Sequence, residues 1–100
     1  MHYLLIYDLA PDSKARRGLF LKEHIQMALD AQASGDLILG GGLADPADRA
    51  VLLFTGDSPA VAETFARTDP YVTQGLVKNW SVHQWNTVFG AMATSPLRPG

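Results

Sequence analysis

The pattern of apolar and polar positions changes period several times along the chain, and each change predicts an element. Tyr3–Asp8 (YLLIYD) is a short aromatic and aliphatic run closed by Pro11-Asp12, which predicts a strand buried on at least one face. From Ala15 to Ala33 the spacing becomes helical. At about 100° per residue, Phe20, Leu21, Ile25, Met27, Ala28, Leu29 and Ala31 share one broad arc, with Lys22, Glu23, Gln26 and Asp30 opposite. Asp12 or Ser13 is placed to cap this helix and Gly35 to stop it. Asp36–Leu43 (DLILGGGL) starts as a strand and runs into Gly40-Gly41-Gly42, which predicts a bulge or a close approach of backbone to something else. Arg49–Thr55 (RAVLLFT) reads as a strand returning antiparallel to it. Ser58-Pro59 starts a second helix that runs to about Arg67. Asp69-Pro70-Tyr71 ends that helix and begins a short extra turn to Gly75. Leu76–Trp85 (LVKNWSVHQW) is the last strand, and a tail from about Phe89, residues 90–100, has no periodic pattern and is expected to be flexible.

The order β-α-β-β-α-β is the split βαβ, ferredoxin-like arrangement. It is an α+β fold with a four-stranded antiparallel sheet and both helices on one face, in a single domain over residues 1–89. The other sheet face is left to solvent or to a second copy. Trp80 and Trp85 in the last strand are hard to leave wet, which favours a homodimer joined through the sheets.

Composition narrows the function classes. One hundred residues, 47% of them hydrophobic and 18% charged, suit one globular core. A net charge of −2 offers no footprint for nucleic acid. The absence of cysteine removes disulfides, thiolate nucleophiles and Cys-based metal sites. The N-terminal stretch lacks the features of a signal peptide, and no apolar run approaches the ~20 residues of a membrane span. A soluble, cytoplasmic protein is expected.

The anomaly lies in the first helix. His24 falls inside the apolar arc, and Arg17 lies seven residues before it, close to the same line. An imidazole and a guanidinium on a core face cost free energy unless both find partners or line a cavity.

Taken together, these pieces resemble the YCII family (YciI-like proteins) over nearly the whole chain, Met1 to about Phe89. The resemblance rests on the opening strand, Arg17 and His24 with Ile25 after it, and Gly35-Asp36-Leu37. It continues through the Gly-rich strand end, Phe54, Asp69-Pro70-Tyr71 with Gly75 beyond, and a final strand with Val82 and Trp85. It implies a dimeric α+β barrel, in which a ferredoxin-like protomer packs its sheet against its twin's. It also implies a cleft with His24 and Asp69 as an acid–base pair. Family members include a dehydrochlorinase of a chlorinated hydroxyhydroquinone, and relatives of the fold handle muconolactone-type compounds. Where the family commonly has Gly-Pro after the second strand, this chain has Gly41-Gly42, so the pocket wall is expected to differ there.

Each candidate residue also has a plain structural alternative. A carboxylate at Asp69 accepting from one nitrogen of His24 would fix the tautomer and leave the other nitrogen to exchange a proton. The alternative is a core histidine satisfied by a helix-capping aspartate. Arg17 suits an anionic or carbonyl-bearing substrate, or else a salt bridge to Asp69 or Asp8. Tyr7 and Tyr71 are candidates for ligand hydrogen bonds or aromatic walls, and Trp80 for a ligand platform, with core packing the alternative for all three. Gly41 is a candidate for the pocket wall. The glycine run lacks Gly-Lys-Ser/Thr and a following helix, so it is no phosphate loop. His2, His24 and His83 have no metal-ligand spacing, and no serine sits in a nucleophile elbow. The expectation is cofactor-independent and metal-free chemistry, an elimination or isomerisation on a small phenolic or lactone-type molecule. The alternative is a dimeric module that binds a small organic ligand without turning it over.

Overall fold

The structure is a computed structural model that describes residues 1–100. The N-terminal run forms β1 (His2–Leu9), and the C-terminal one forms β4 (Val77–Trp85). Between them lie β2 (Leu37–Gly42), β3 (Arg49–Thr55), α1 (Ser13–Arg16), α2 (Leu21–Ala33), α3 (Ala60–Thr68) and α4 (Pro70–Thr73). The four strands form one sheet in the order β2-β3-β1-β4, with each neighbouring pair antiparallel, as a ferredoxin-like fold requires. Alternation assigns the two faces of β1. Tyr3, Leu5 and Tyr7 are buried beneath the helices, whereas Leu4 and Ile6 on the opposite face are only half-buried. Leu52 and Phe54 of β3 continue the covered face, and Ala62, Phe65 and Ala66 of α3 close it from above. Phe54 and Phe65 meet with ring centroids 5.2 Å apart, tilted by 54°, a geometry worth ~0.5–1.5 kcal/mol beyond the area it buries.

The single helix expected over Ala15–Ala33 is broken. α1 ends at Arg16, a 3₁₀ turn covers Arg17–Leu19, and α2 starts at Leu21. Gly18 sits in the break, where a helical glycine costs ~1 kcal/mol relative to alanine. Arg16 anchors the segment by donating to the Gln74 carbonyl at 2.7 Å. The bulge expected at the three glycines also falls elsewhere. The register shift lies between Leu37 and Leu39, and Gly40, Gly41 and Gly42 are regularly paired with Leu52, Val51 and Ala50.

The two long helices pack differently. α3 buries three residues against the sheet, whereas none of the 13 residues of α2 is buried. β2 offers α2 glycines where a strand would normally present side chains. Met27, Ala28 and Ala31 of α2 pack against the core, but the volume between the helix and the glycines of β2 is left unfilled.

Beyond β4 the chain has no regular element, but it turns back on itself. His2 Nδ1 and Thr94 N both bond Thr87 Oγ1, at 2.8 and 2.9 Å, and Leu97 N donates to the Val88 carbonyl at 3.0 Å.

Candidate active site

The space under α2 is a cavity of about 870 Å³ walled by α2, the 3₁₀ turn, β2, β3 and Tyr71 of α4. One stripe of α2 faces it, through Leu21, His24, Ala28, Leu29 and Gln32, a spacing that places them on one side of a helix. The glycines of β2 form the facing wall. Gly41 borders both this cavity and a shallow groove on the uncovered sheet face.

His24 is held from behind. Its Nδ1 lies 3.0 Å from both carboxylate oxygens of Asp69. An ionised carboxylate only accepts, so Nδ1 carries the hydrogen and Nε2 is the nitrogen left to exchange a proton. Asp69 is fully buried and also accepts from Tyr7 Oη at 2.7 Å and from Tyr71 N at 3.0 Å. Its position follows from local sequence. Asp69 has extended backbone (φ −66°, ψ 124°), and Pro70 follows at the first position of α4, so the aspartate caps that turn. The same carboxylate therefore caps a helix and orients an imidazole. Tyr71, two residues on, stacks its ring on that of His24, with centroids 3.9 Å apart and planes 7° from parallel.

The tyrosines are held protonated. Burial first, then the Asp69 charge and the hydrogen bond to it, push the Tyr7 hydroxyl far above the ordinary tyrosine range. Tyr71 is also raised, by burial and then by Asp69, with the Arg17 charge opposing. Each hydroxyl is thus a hydrogen-bond donor.

Of the residues singled out from the sequence, His24, Arg17, Tyr71 and Gly41 line the cavity. Tyr7 does not, because its hydroxyl is spent on Asp69 in the core. Nor does Trp80, which faces the helix layer on β4 beside Tyr7, with the Arg67 guanidinium 5.7 Å from its ring centre. Arg17 forms neither of the salt bridges considered for it. Asp8 pairs with Arg49 at 3.3 Å and Asp69 with His24, so the exposed Arg17 guanidinium is left for the cavity. His83 is exposed and bonds Ser81 at 3.0 Å. Two contributions escaped the sequence reading. Lys14, which no motif in the sequence singles out, lines the cavity, and the Tyr71–His24 stack was implicit in Tyr71 following Asp69 so closely. No three His, Cys, Asp or Glu side chains converge anywhere in the chain, and no helix is long and apolar enough to cross a membrane.

Comparison with known proteins adds the following. The YCII-related domain matches residues 1–86. Among solved structures, 5-chloro-2-hydroxyhydroquinone dehydrochlorinase from Burkholderia phenoliruptrix AC1100, in complex with 2,5-dihydroxybenzoquinone, superposes with a TM-score of 0.72 at 21% identity. That match covers 87% of this chain and 95% of that one. Protein Atu4242 from Agrobacterium tumefaciens gives 0.57 at 16% identity, covering 94% and 98%. An antibiotic biosynthesis monooxygenase gives 0.55 at 12% identity, covering 88% and 99%. At these identities the likeness is one of fold. A comparison with curated proteins finds no match.

Proposed function

The chain belongs to the YCII-related domain family, and we propose that it is a small enzyme that uses His24, oriented by Asp69, for proton transfer on a phenolic or lactone-type molecule. The observation that carries this reading is the geometry of His24. One ring nitrogen is fixed on a buried carboxylate and the ring lies flat against Tyr71, at the wall of a cavity large enough for an organic ligand. In an elimination, Nε2 takes the proton from the substrate and the leaving group departs with the bonding pair, so a chlorinated substrate loses HCl with no net redox change. In an isomerisation, the same nitrogen returns the proton to a second carbon. Arg17 would hold the oxyanion that develops, and the apolar walls would strengthen that contact. One protein that shares the fold is a dehydrochlorinase, which supports elimination as the first reaction to assay.

The test is turnover of chlorinated hydroxyhydroquinones and of lactones by the parent, His24→Ala and Asp69→Asn. Circular dichroism would verify that each variant is folded. Loss of the base should slow turnover by roughly 10²–10⁴-fold. Equal rates in all three proteins would overturn the acid–base reading and favour a module that binds without turnover.

A further inference from the structure

The cavity is larger than its chemistry requires, and its walls are not uniform. A single substituted ring fills only part of 870 Å³, which lies near the top of the usual ligand range of about 300–1,000 Å³. Lys14 and Arg17 precede α2 and mark one end, where neither makes an ion pair or hydrogen bond to another side chain. No carboxylate lines the cavity to balance them, because Asp69 lies behind His24 and is already satisfied by three donors. Towards the C-terminal end of α2 the walls become apolar. Leu29 on the helix and Leu37 and Ile38 on β2 line the space, and Leu29 remains 52% exposed. With His24 near the start of α2, the apolar stretch to Leu29 and Gln32 runs about 8–12 Å at the helical rise.

We infer that the ligand is an amphiphilic anion: a ring bearing a carboxylate or phenolate held by Arg17 and Lys14, with its reacting atoms beside His24 and an apolar substituent lying along α2 towards Leu29 and Ile38. The inference rests on the cavity being the working site and names the class of molecule that site takes. It explains why α2 carries an apolar stripe yet buries no residue: the substituent supplies the missing contact. A plain hydroquinone would leave the far half of the cavity unfilled.

The experiment measures binding, not turnover. Calorimetric titration with 4-alkylbenzoates, from 4-methyl to 4-hexyl, and with the matching neutral benzamides should show two trends. Each added methylene should tighten binding about three- to four-fold, and each benzoate should bind at least about ten-fold tighter than its benzamide. Arg17→Gln should bring benzoate and benzamide together. Leu29→Asp should cut the gain per methylene to below about two-fold, and Ile38→Asp, on the facing wall, should do the same if the first variant fails to fold. Amide shifts in the labelled parent should map to α2 and β2. A flat series, equal affinity for acid and amide, or shifts confined to Leu4, Val51, Leu53 and Trp85 on the opposite sheet face would each overturn the inference. The two readings fail separately. A flat series with an active enzyme leaves the acid–base reading standing, and a steep series without turnover removes that reading alone.

Discussion

Asp69 shows how much one buried carboxylate can organise. It has no exposed surface, so its charge rests entirely on Tyr7 Oη, Tyr71 N and His24 Nδ1. Removing one donor from a buried acceptor costs about 1–3 kcal/mol, which is the expected loss for Tyr7→Phe in urea unfolding. If Tyr7 positions Asp69 and does not touch ligand, the same variant lowers kcat with little change in KM. A rise in KM alone would place Tyr7 against the substrate. Alkaline pH separates the tyrosines. Below about pH 10 the Tyr7 proton is bound in both folded and unfolded chains. Above it the unfolded chain releases a proton that the folded chain keeps, because burial and Asp69 raise the folded-state pKa. Stability therefore falls as pH rises past about 10, by ~1.4 kcal/mol per unit for this group, and Tyr7→Phe removes that part of the slope. Absorbance near the tyrosinate band should show Tyr7 ionising only on unfolding. Ionisation of Tyr7 in the folded chain near pH 10 would sink the argument. The pairing of His24 with Asp69 was accessible from residue types and the resemblance. The role of Tyr7 was not, because a strand pattern says which face a side chain takes but not which distant group its hydroxyl reaches.

At the scale of elements, every strand and both long helices were legible from hydrophobic period, glycine and proline. The cap expected from Asp12 or Ser13 does not form, and α2 starts uncapped after Phe20. Two further local features were not legible. The wheel drawn through Arg17 and His24 assumes unbroken helix, and the 3₁₀ turn at Arg17–Leu19 interrupts it. Arg17 still reaches the cavity because the turn lies directly before α2. The glycine run shapes the site, but not as a bulge. The bulge lies at Ile38, and the glycines act by leaving volume unfilled. That gives a prediction. Gly42 has no positive φ, and a Cβ added there meets only the Arg49 carbonyl at 3.8 Å, an ordinary contact. Gly42→Val should raise stability by about 0.5–1 kcal/mol through backbone entropy and strand preference. It should also shrink the cavity, and so weaken ligand binding several-fold. Gly40→Val is the contrast, since its Cβ would lie 3.2 Å from Leu52 Cγ and force a buried leucine to move. A thermal melt and a titration of each variant decide the matter. Unchanged binding in Gly42→Val would mean that the glycines do not shape the ligand space.

The whole molecule is thin for its length. Its extents are 51 × 29 × 18 Å, and only 14 of 100 residues are buried, so one sheet and one helix layer leave much apolar surface in contact with water. On the uncovered sheet face Leu4, Ile6, Val51 and Leu53 are half-buried, and Trp85 is 48% exposed. Of the two tryptophans that suggested a sheet-to-sheet contact, only Trp85 lies there, while Trp80 belongs to the helix side. The returning tail adds Phe89, Met92 and Leu97, exposed by 80%, 61% and 64%. A second copy that covers this face would turn a half-formed core into a two-sheet interior with layers ~10 Å apart, and we propose that the chain pairs in this way. Sedimentation should then give twice the 10.8 kDa chain mass at micromolar concentration. The melting temperature should rise with protein concentration, because association stabilises only the folded state. Leu53→Glu places a charge in the middle of the face and should yield monomers with a lower, concentration-independent melting temperature, whereas Leu29→Glu, on the cavity side, should leave the mass doubled. A parent that sediments as a monomer and melts at one temperature across a hundred-fold range of concentration would show that the sheet face is tolerated wet.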